Sequence, residues 1–277
     1  MNPQGIERRI AVLGLPGSNC EVETRLALTV CGVEADIVRW NEDPHMILQY
    51  AGFILPAGFS YQDRVRAGAL AAKETIVEIV GTAVGRGKPV MGICNGCQVL
   101  VEAGLIPGTH GEEVEMAVAP NRRPGGRGFY CGWVFVKHEA VPGRCFFTRN
   151  LGEGEVLPVP VAHAEGRFTT VSPSLVAGLR ERDQIVFRYC DSRGRVSDDP
   201  EVNPNGSMDN IAGLCNQQGN VLALMPHPER ATWLRQVPEG MASTWAERKS
   251  SRAGDWGGME GEGPGRRLFE AFRRGVV

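Results

Sequence analysis

The chain has 277 residues, with 30 lysines and arginines against 32 aspartates and glutamates and a formal net charge of −2. That balance excludes a global field drawing the protein to nucleic acid or to an anionic membrane, so partners have to be met through local sites. The first apolar run, residues 10–15, is too short for a signal sequence or a bilayer span, and a soluble cytoplasmic protein is expected.

Length predicts one α/β domain over 1–277, carrying an irregular insertion at about 235–264. The 8 cysteines are scattered, several inside apolar runs, and read as reduced thiols. Only Cys94 and Cys97 form a CxxC pair, and no second pair or close histidines complete a zinc site, so no metal is expected.

In chain order, a strand is predicted over 9–15, a helix over 21–31 stopped by Gly32, and strands over 34–39 and 52–55. A long helix follows over 68–84, its apolar face built from Ala69, Ala72, Ile76, Ile79, Val80 and Ala83. Residues 89–93 form the next strand and 95–103 the next helix. This alternation predicts a mostly parallel sheet flanked by helices, with the active site at the carboxyl ends of the strands. From 128 to 191 the pattern shifts to short β runs (133–137, 156–161, 185–189) and one helix capped by Ser172 or Ser174, which predicts a small antiparallel extension. A polar loop over 192–210 leads to a hairpin of 211–215 and 221–225. A helix over 266–274 closes the chain.

Residues 89–96 read Pro-Val-Met-Gly-Ile-Cys-Asn-Gly, an apolar strand running into Gly-x-Cys-x-Gly and then a helix. This is the nucleophile-elbow pattern with Cys94 at the nucleophile position. The flanking glycines are needed because a Cβ would crowd the sharp turn, and the helix N-terminus favours thiolate. Against it stand two other readings, a buried small hydrophobe and a redox pair with Cys97.

A thiol nucleophile needs a proton acceptor, and the histidines are His45, His110, His138, His163 and His227. His227 follows an apolar strand in Met-Pro-His-Pro-Glu-Arg, where the prolines favour extended chain, and residues two apart in extended chain face the same way. Glu229 can then take the second ring N–H and fix the tautomer. His163 has the same spacing to Glu165 but is read as lying in a more polar loop, ranking second as base and higher as an interface residue. Donors for a developing oxyanion are the N–H of Asn95, next after the thiol, and that of Gly58 in the loop 55–61.

Taken together, LPGSNC (15–20), LPAGFSYQD (55–63), GICNGCQVLVEAGLIPG (92–108), VAHAEGR (161–167), NPNGSMDNIAGLCN (203–216) and GNVLALMPHPER (219–230) resemble the glutaminase-subunit family of phosphoribosylformylglycinamidine synthase. That family lies within the class I, triad-type glutamine amidotransferases. The resemblance runs in order over about 9–230 and again over the final helix. It implies a flavodoxin-like amidotransferase fold and hydrolysis of L-glutamine through a Cys94–His227–Glu229 triad, with Gln98 and Gly58 helping to hold the glutamine. It also implies a synthetase subunit and a small third subunit as partners, with ATP and Mg²⁺ used by the synthetase rather than by this chain. Other readings are a glutaminase serving another pathway and a non-catalytic flavodoxin-like redox or binding module. The sequence departs from the family pattern at Ala57 and Gln62, where glycines are usual, and at Cys97 (Phe) and Ala164 (Gly); Ala57 would restrict the oxyanion loop to negative φ.

Overall fold

The computed structural model of the chain describes residues 5–111, 113–124, 126 and 128–276. Its strands are β1 (Ile10–Gly14), β2 (Ala35–Arg39), β3 (Gly52–Leu55), β4 (Val90–Ile93), β5 (Ala117–Pro120), β6 (Tyr130–His138), β7 (Val156–His163), β8 (Glu165–Thr169), β9 (Ile185–Cys190), β10 (Ile211–Cys215) and β11 (Val221–Leu224). The α-helices are α1 (Glu21–Val30), α2 (Pro44–Ile47), α3 (Thr75–Gly85), α4 (Asn95–Glu102), α5 (Pro173–Glu181), α6 (Thr244–Ser250), α7 (Trp256–Met259) and α8 (Arg266–Val276).

Runs that are apolar at every position cannot present a wet face, so they pair inside a sheet covered on both sides. β1, β3, β4 and β11 are buried throughout, and with β2 at the edge they form a parallel array in the order β2-β1-β3-β4-β11. This is the 2-1-3-4-5 order of the flavodoxin-like fold. The sheet continues beyond β11 through β10, β9, β6 and β7, every pairing there antiparallel, to nine strands among the described residues. The predicted hairpin thus does more than turn the chain: β10 and β11 join the parallel half to the antiparallel extension. Because β1, β3, β4 and β11 run the same way, the chain following each emerges at one edge of the sheet, where residues 15–20, 56–63, 94 and 225–229 converge.

Several expectations are corrected. The predicted helix over 68–84 is two pieces, a 3₁₀ turn at Ala71–Lys73 and then α3, because Glu74 between them is extended, with φ −73° and ψ 141°. Its carboxylate accepts a hydrogen bond from the hydroxyl of Tyr61, which holds it out of helical register. The β runs 133–137 and 156–161 are the centres of longer strands, and β5 and β8, which the sequence analysis does not foresee, pair as a separate antiparallel ribbon. Segment 235–264 is less irregular than expected, since it contains α6, capped by Ser243 and anchored by buried Trp245, and α7. Ser172 caps α5, and the amphipathic α8 buries Leu268, Phe269, Ala271 and Phe272. Phe272 packs edge-on to Phe146 and Phe147, and each large side chain so buried is worth about 1.5–3 kcal/mol. Among the described residues no helix is long and apolar enough to cross a membrane.

Candidate active site

Cys94 stands between β4 and α4 with φ 49° and ψ −101°, a left-handed backbone that a non-glycine residue holds only when its surroundings enforce it. The enforcement is visible on both sides. A Cβ on Gly92 would lie 2.6 Å from the carbonyl oxygen of Gly96, and one on Gly96 would lie 2.0 Å from that of Leu55. Backbone therefore approaches backbone too closely for any other residue, as the elbow pattern requires. Cys94 N–H donates to Leu224 O at 2.8 Å, continuing the β4–β11 register in which Ile93 faces Leu224. The Cys94 thiol contacts Ala162 O at 3.6 Å and the residue is 5% exposed.

That register delivers His227 three residues beyond β11. Its N–H donates to Pro160 O at 2.8 Å, and its ring Nδ1 lies 2.6 Å from Glu229 Oε1. The pairing is achieved differently from the extended chain predicted, because Pro228–Ala231 is a 3₁₀ turn with His227 at its N-cap. The prolines do fix this local shape, Pro228 occupying the first helical position where no N–H is needed. Burial alone would lower the proton affinity of His227. The charge of Glu229 and the sulfurs of Cys94 and Cys20 together outweigh it, and His227 is held well above its ordinary pKa. Its Nε2 and Glu229 Oε2 are buried without hydrogen-bond partners.

His163 is also beside this site, and here the expectation of a polar loop is corrected. It is the last residue of β7, 3% exposed, and so not at an interface. Burial first, and then the positive charge of His227, push its pKa down to about 3. Its Nδ1 meets Asn121 Oδ1 at 3.1 Å, while Glu165 turns away to accept from Ala67 N–H at 3.2 Å.

The loop after β3 lies against that after β1. Gly58 bridges Ser18, and a Cβ there would fall 2.6 Å from Ser18 Cα. Ala57 is accommodated with negative φ, its carbonyl accepting from Asn19 and Cys20 N–H at 3.3 Å. The strain sits further along, at Tyr61, Gln62 and Asp63, with φ of 53°, 59° and 53°. Gln62, where glycine is usual, is therefore the departure that costs conformational energy. Asn95 Oδ1 accepts from Ser60 N–H at 3.0 Å and its amide donates to Gln98 Oε1 at 2.9 Å. Gln98 in turn donates to Glu165 O at 2.5 Å, so this side chain ties α4 to β8. Cys97 is fully buried in α4, and burial drives its thiol pKa well up.

Sequence reasoning passed over Cys20 and Arg230. Cys20 is fully buried at the N-cap of α1, and Arg230 Nη2 donates to its sulfur at 3.0 Å. Cys20 follows an apolar strand and precedes a helix, as Cys94 does, and that parallel was the available signal. Nothing in the sequence pattern marks Asn121, whose role depends on long-range packing.

A mostly parallel sheet with a strained thiol elbow and a buried imidazole–carboxylate pair at its carboxyl edge is the arrangement expected of the class I glutamine amidotransferases. Residues 7–273 match the model of the CobB/CobQ-like glutamine amidotransferase domain, and the chain belongs to that family. Within it, the chain is similar to phosphoribosylformylglycinamidine synthase subunit PurQ of Methanothrix thermoacetophila, 43% identical over 271 residues that cover 96% of this chain and 97% of the relative. The PurQ subunit of Pyrococcus furiosus is 44% identical over 224 residues, 81% of this chain and 89% of the relative. Among solved structures, PurLQS from Thermotoga maritima is 32% identical with a TM-score of 0.69, covering 97% of this chain and 99% of that one. A glutamine amidotransferase from the same organism, 12% identical with a TM-score of 0.51, covers 97% of each chain and shares the fold.

Proposed function

We propose that this chain is the glutaminase subunit of a phosphoribosylformylglycinamidine synthase, and that Cys94, His227 and Glu229 carry the hydrolysis. The observation that supports the chemistry best is the convergence of a strained thiol and a Glu229-paired imidazole at the ends of adjacent strands β4 and β11. The Cys94 sulfur attacks the side-chain carbonyl carbon of glutamine, forming the C–S bond. His227 passes a proton to the leaving nitrogen, the C–N bond breaks, and ammonia departs from a glutamyl thioester. Water then gives a proton to His227 and attacks the thioester; the C–S bond breaks, glutamate leaves, and the thiolate–imidazolium pair is restored.

Glu229 keeps the imidazole in one tautomer and orientation and stabilises its charged form. The N–H groups of Gly58 and Asn95, which make no hydrogen bond among the described residues, are the donors for the oxyanion. Gln98 holds the elbow helix against β8 and lies one turn from the thiol, where it helps to seat the glutamine. With Cys94 only 5% exposed, glutamine reaches its sulfur only when the covering loops open. Docking of the synthetase is the event that would couple opening to demand, and the chain alone is expected to be nearly silent. Ammonia passes to that ATP- and Mg²⁺-using synthetase, which converts formylglycinamide ribonucleotide to its amidine, with a small third subunit completing the complex. ATP and Mg²⁺ act there, not in this chain, and a cytoplasmic setting follows from that pathway.

The test is mass spectrometry of the adduct formed with a glutamine-mimicking electrophile in the reconstituted complex. One label on Cys94 is expected. Labelling of another residue, or unchanged glutamine-dependent synthesis by a Cys94→Ala protein, would overturn the assignment.

A further inference from the structure

His163 plays no part in the proton transfers described above, yet its surroundings fix its ring down to the position of its proton. Asn121 cannot be turned round, since its side-chain nitrogen donates to Gly128 O at 3.0 Å and to His163 O at 2.8 Å while its oxygen accepts from Gly166 N–H at 3.0 Å. That same oxygen meets His163 Nδ1 at 3.1 Å, and because an amide oxygen has no hydrogen to give, Nδ1 must carry the proton. The ring is also seated directly against Gly166, where a Cβ would fall 2.2 Å from its Cε1 and 2.6 Å from its Nε2. In a neutral imidazole so held, Nε2 is a bare lone pair.

That lone pair has nothing to accept. Nε2 is buried without a hydrogen-bond partner among the described residues, and an acceptor stranded in this way destabilises the fold unless a ligand supplies the missing donor. Its place is beside the reaction. The Cys94 sulfur contacts Ala162 O, the carbonyl of the peptide that leads into His163, at 3.6 Å, and the charge of His227 acts on the His163 ring. Burial, and then that charge, push the His163 pKa down to about 3, so at neutral pH the ring is uncharged and Nε2 stays an acceptor.

We propose that His163 Nε2 accepts an N–H of the side-chain amide nitrogen of glutamine and keeps hold of that nitrogen as it departs as ammonia, an inference that rests on the glutaminase reading. The two imidazoles then divide the work by where their protons sit. His227 hands a proton to the leaving nitrogen. His163, whose one ring proton is engaged by Asn121, receives an N–H and has no proton to give. Ammonia held there keeps its lone pair, the electrons with which it must attack the synthetase's substrate, instead of being captured as ammonium. His163 thus touches the substrate without transferring a proton, and it favours a carboxamide over acyl groups whose leaving atom bears no N–H.

The experiment compares, in the reconstituted complex, glutamine hydrolysis with alkylation of Cys94 by a diazoketone analogue of glutamine, which carries a diazomethyl carbon where the substrate carries its NH₂. His163→Asn keeps a side-chain N–H for Asn121 but lacks the Nε2 acceptor, whereas His163→Gln places an amide oxygen at the reach of Nε2. His163→Asn is expected to lower kcat/KM for glutamine about 3–10-fold, the worth of one neutral hydrogen bond, and to leave the alkylation rate within about twofold of wild type. His163→Gln should recover most of the loss. Slowing of alkylation as well, no slowing of glutamine hydrolysis, or a loss that His163→Gln does not recover overturns the proposal. A wild type that hydrolyses no glutamine with its partners present sinks the glutaminase reading instead. Where the variants fail to fold, ¹⁵N NMR of His163 decides: Nδ1 is expected protonated and Nε2 bare at neutral pH, with the Nε2 resonance moving toward its hydrogen-bonded position when glutamine is added to the complex carrying Cys94→Ala. A protonated Nε2, or one that glutamine does not move, overturns the proposal.

Discussion

The chain contains His-x-Glu twice, at 163–165 and 227–229, and the fold brings both histidines close enough for the charge of one to act on the other, yet it gives them opposite electrostatic characters. His227 is held well above its ordinary pKa while His163 is pushed down to about 3. Both are almost completely buried, so desolvation acts on both in the same direction; what differs is where the glutamate goes. Pro228 starts a 3₁₀ turn that folds Glu229 back onto its own histidine. Ala164 instead separates the end of β7 from the start of β8, which belong to different sheets, and the carboxylate of Glu165 is spent on Ala67 N–H. Identical spacing therefore yields an imidazolium-stabilising pair in one place and a neutral histidine in the other.

The most direct way to break this contrast is to remove each imidazole. His227→Asn is expected to lower glutamine-dependent turnover by on the order of 10⁴-fold or more, since a nucleophile without its base loses the triad as a unit. His163→Asn should stay under the roughly 100-fold that marks loss of a proton-transfer group. Turnover measured on the reconstituted complex, with melting temperatures as folding controls, checks both. Equal losses in the two variants would erase the distinction.

Next in size are the glutamates. Glu229→Gln is expected to reduce turnover by about 10²–10⁴-fold. Its signature is the direction of a pH shift. Glu229 raises the His227 pKa, so without it the charged imidazolium is lost at lower pH and the alkaline limb of kcat/KM moves toward acid. Glu165→Gln should leave that limb where it is, because its carboxylate does not bond His163.

A smaller effect belongs to the support of His163. Asn121 meets His163 Nδ1 and Gly166 N–H through its oxygen and donates to Gly128 O and His163 O. Asn121→Ala orphans these groups and is expected to cost about 1–3 kcal/mol, read as a lowered melting temperature with the pH profile of turnover unchanged. A profile displaced like that of Glu229→Gln would mean that His163 takes part in proton transfer.

How far this contrast could be read in advance follows from the range of the forces involved. The strand-and-helix alternation, the elbow around Cys94 and the placing of His227 after a strand rest on local patterns, and the parallel sheet follows from them. Extended chain was the wrong mechanism for the His227–Glu229 pair, because a proline-initiated 3₁₀ turn also brings residues two apart together. His163 was misplaced because its burial comes from β6 and Asn121, neither of which its neighbours in sequence reveal. Cys20 and Arg230 stayed unseen for the same reason, being 210 positions apart in sequence and 3.0 Å apart in space. The ribbon of β5 and β8 was missed because both strands are short, β5 ending in a proline and β8 polar on alternate residues.

The smallest expected effect follows the spare charge of Glu165. Since that carboxylate is not paired with its histidine, it is felt elsewhere: burial, and then the charge of Glu165, raise Asp63 to about 6. A carboxyl whose pKa is higher folded than unfolded binds protons more tightly in the native state. It contributes stability below its unfolded pKa that is lost as pH rises through the folded one. The wild type should therefore weaken slightly between about pH 4 and pH 6, and Asp63→Asn, neutral throughout, should not. Its melting temperature is expected to exceed wild type modestly at pH 8 and to match it at pH 4, where both side chains are uncharged. Because Asp63 is only half-buried, solvent screens the effect and keeps it small. Adding Asp63→Asn to Glu165→Gln should gain less than in the wild-type background, for the charge that opposes Asp63 is then already gone. A full gain in both backgrounds would mean that burial alone sets Asp63, and that the unpaired glutamate of the second His-x-Glu has no electrostatic reach.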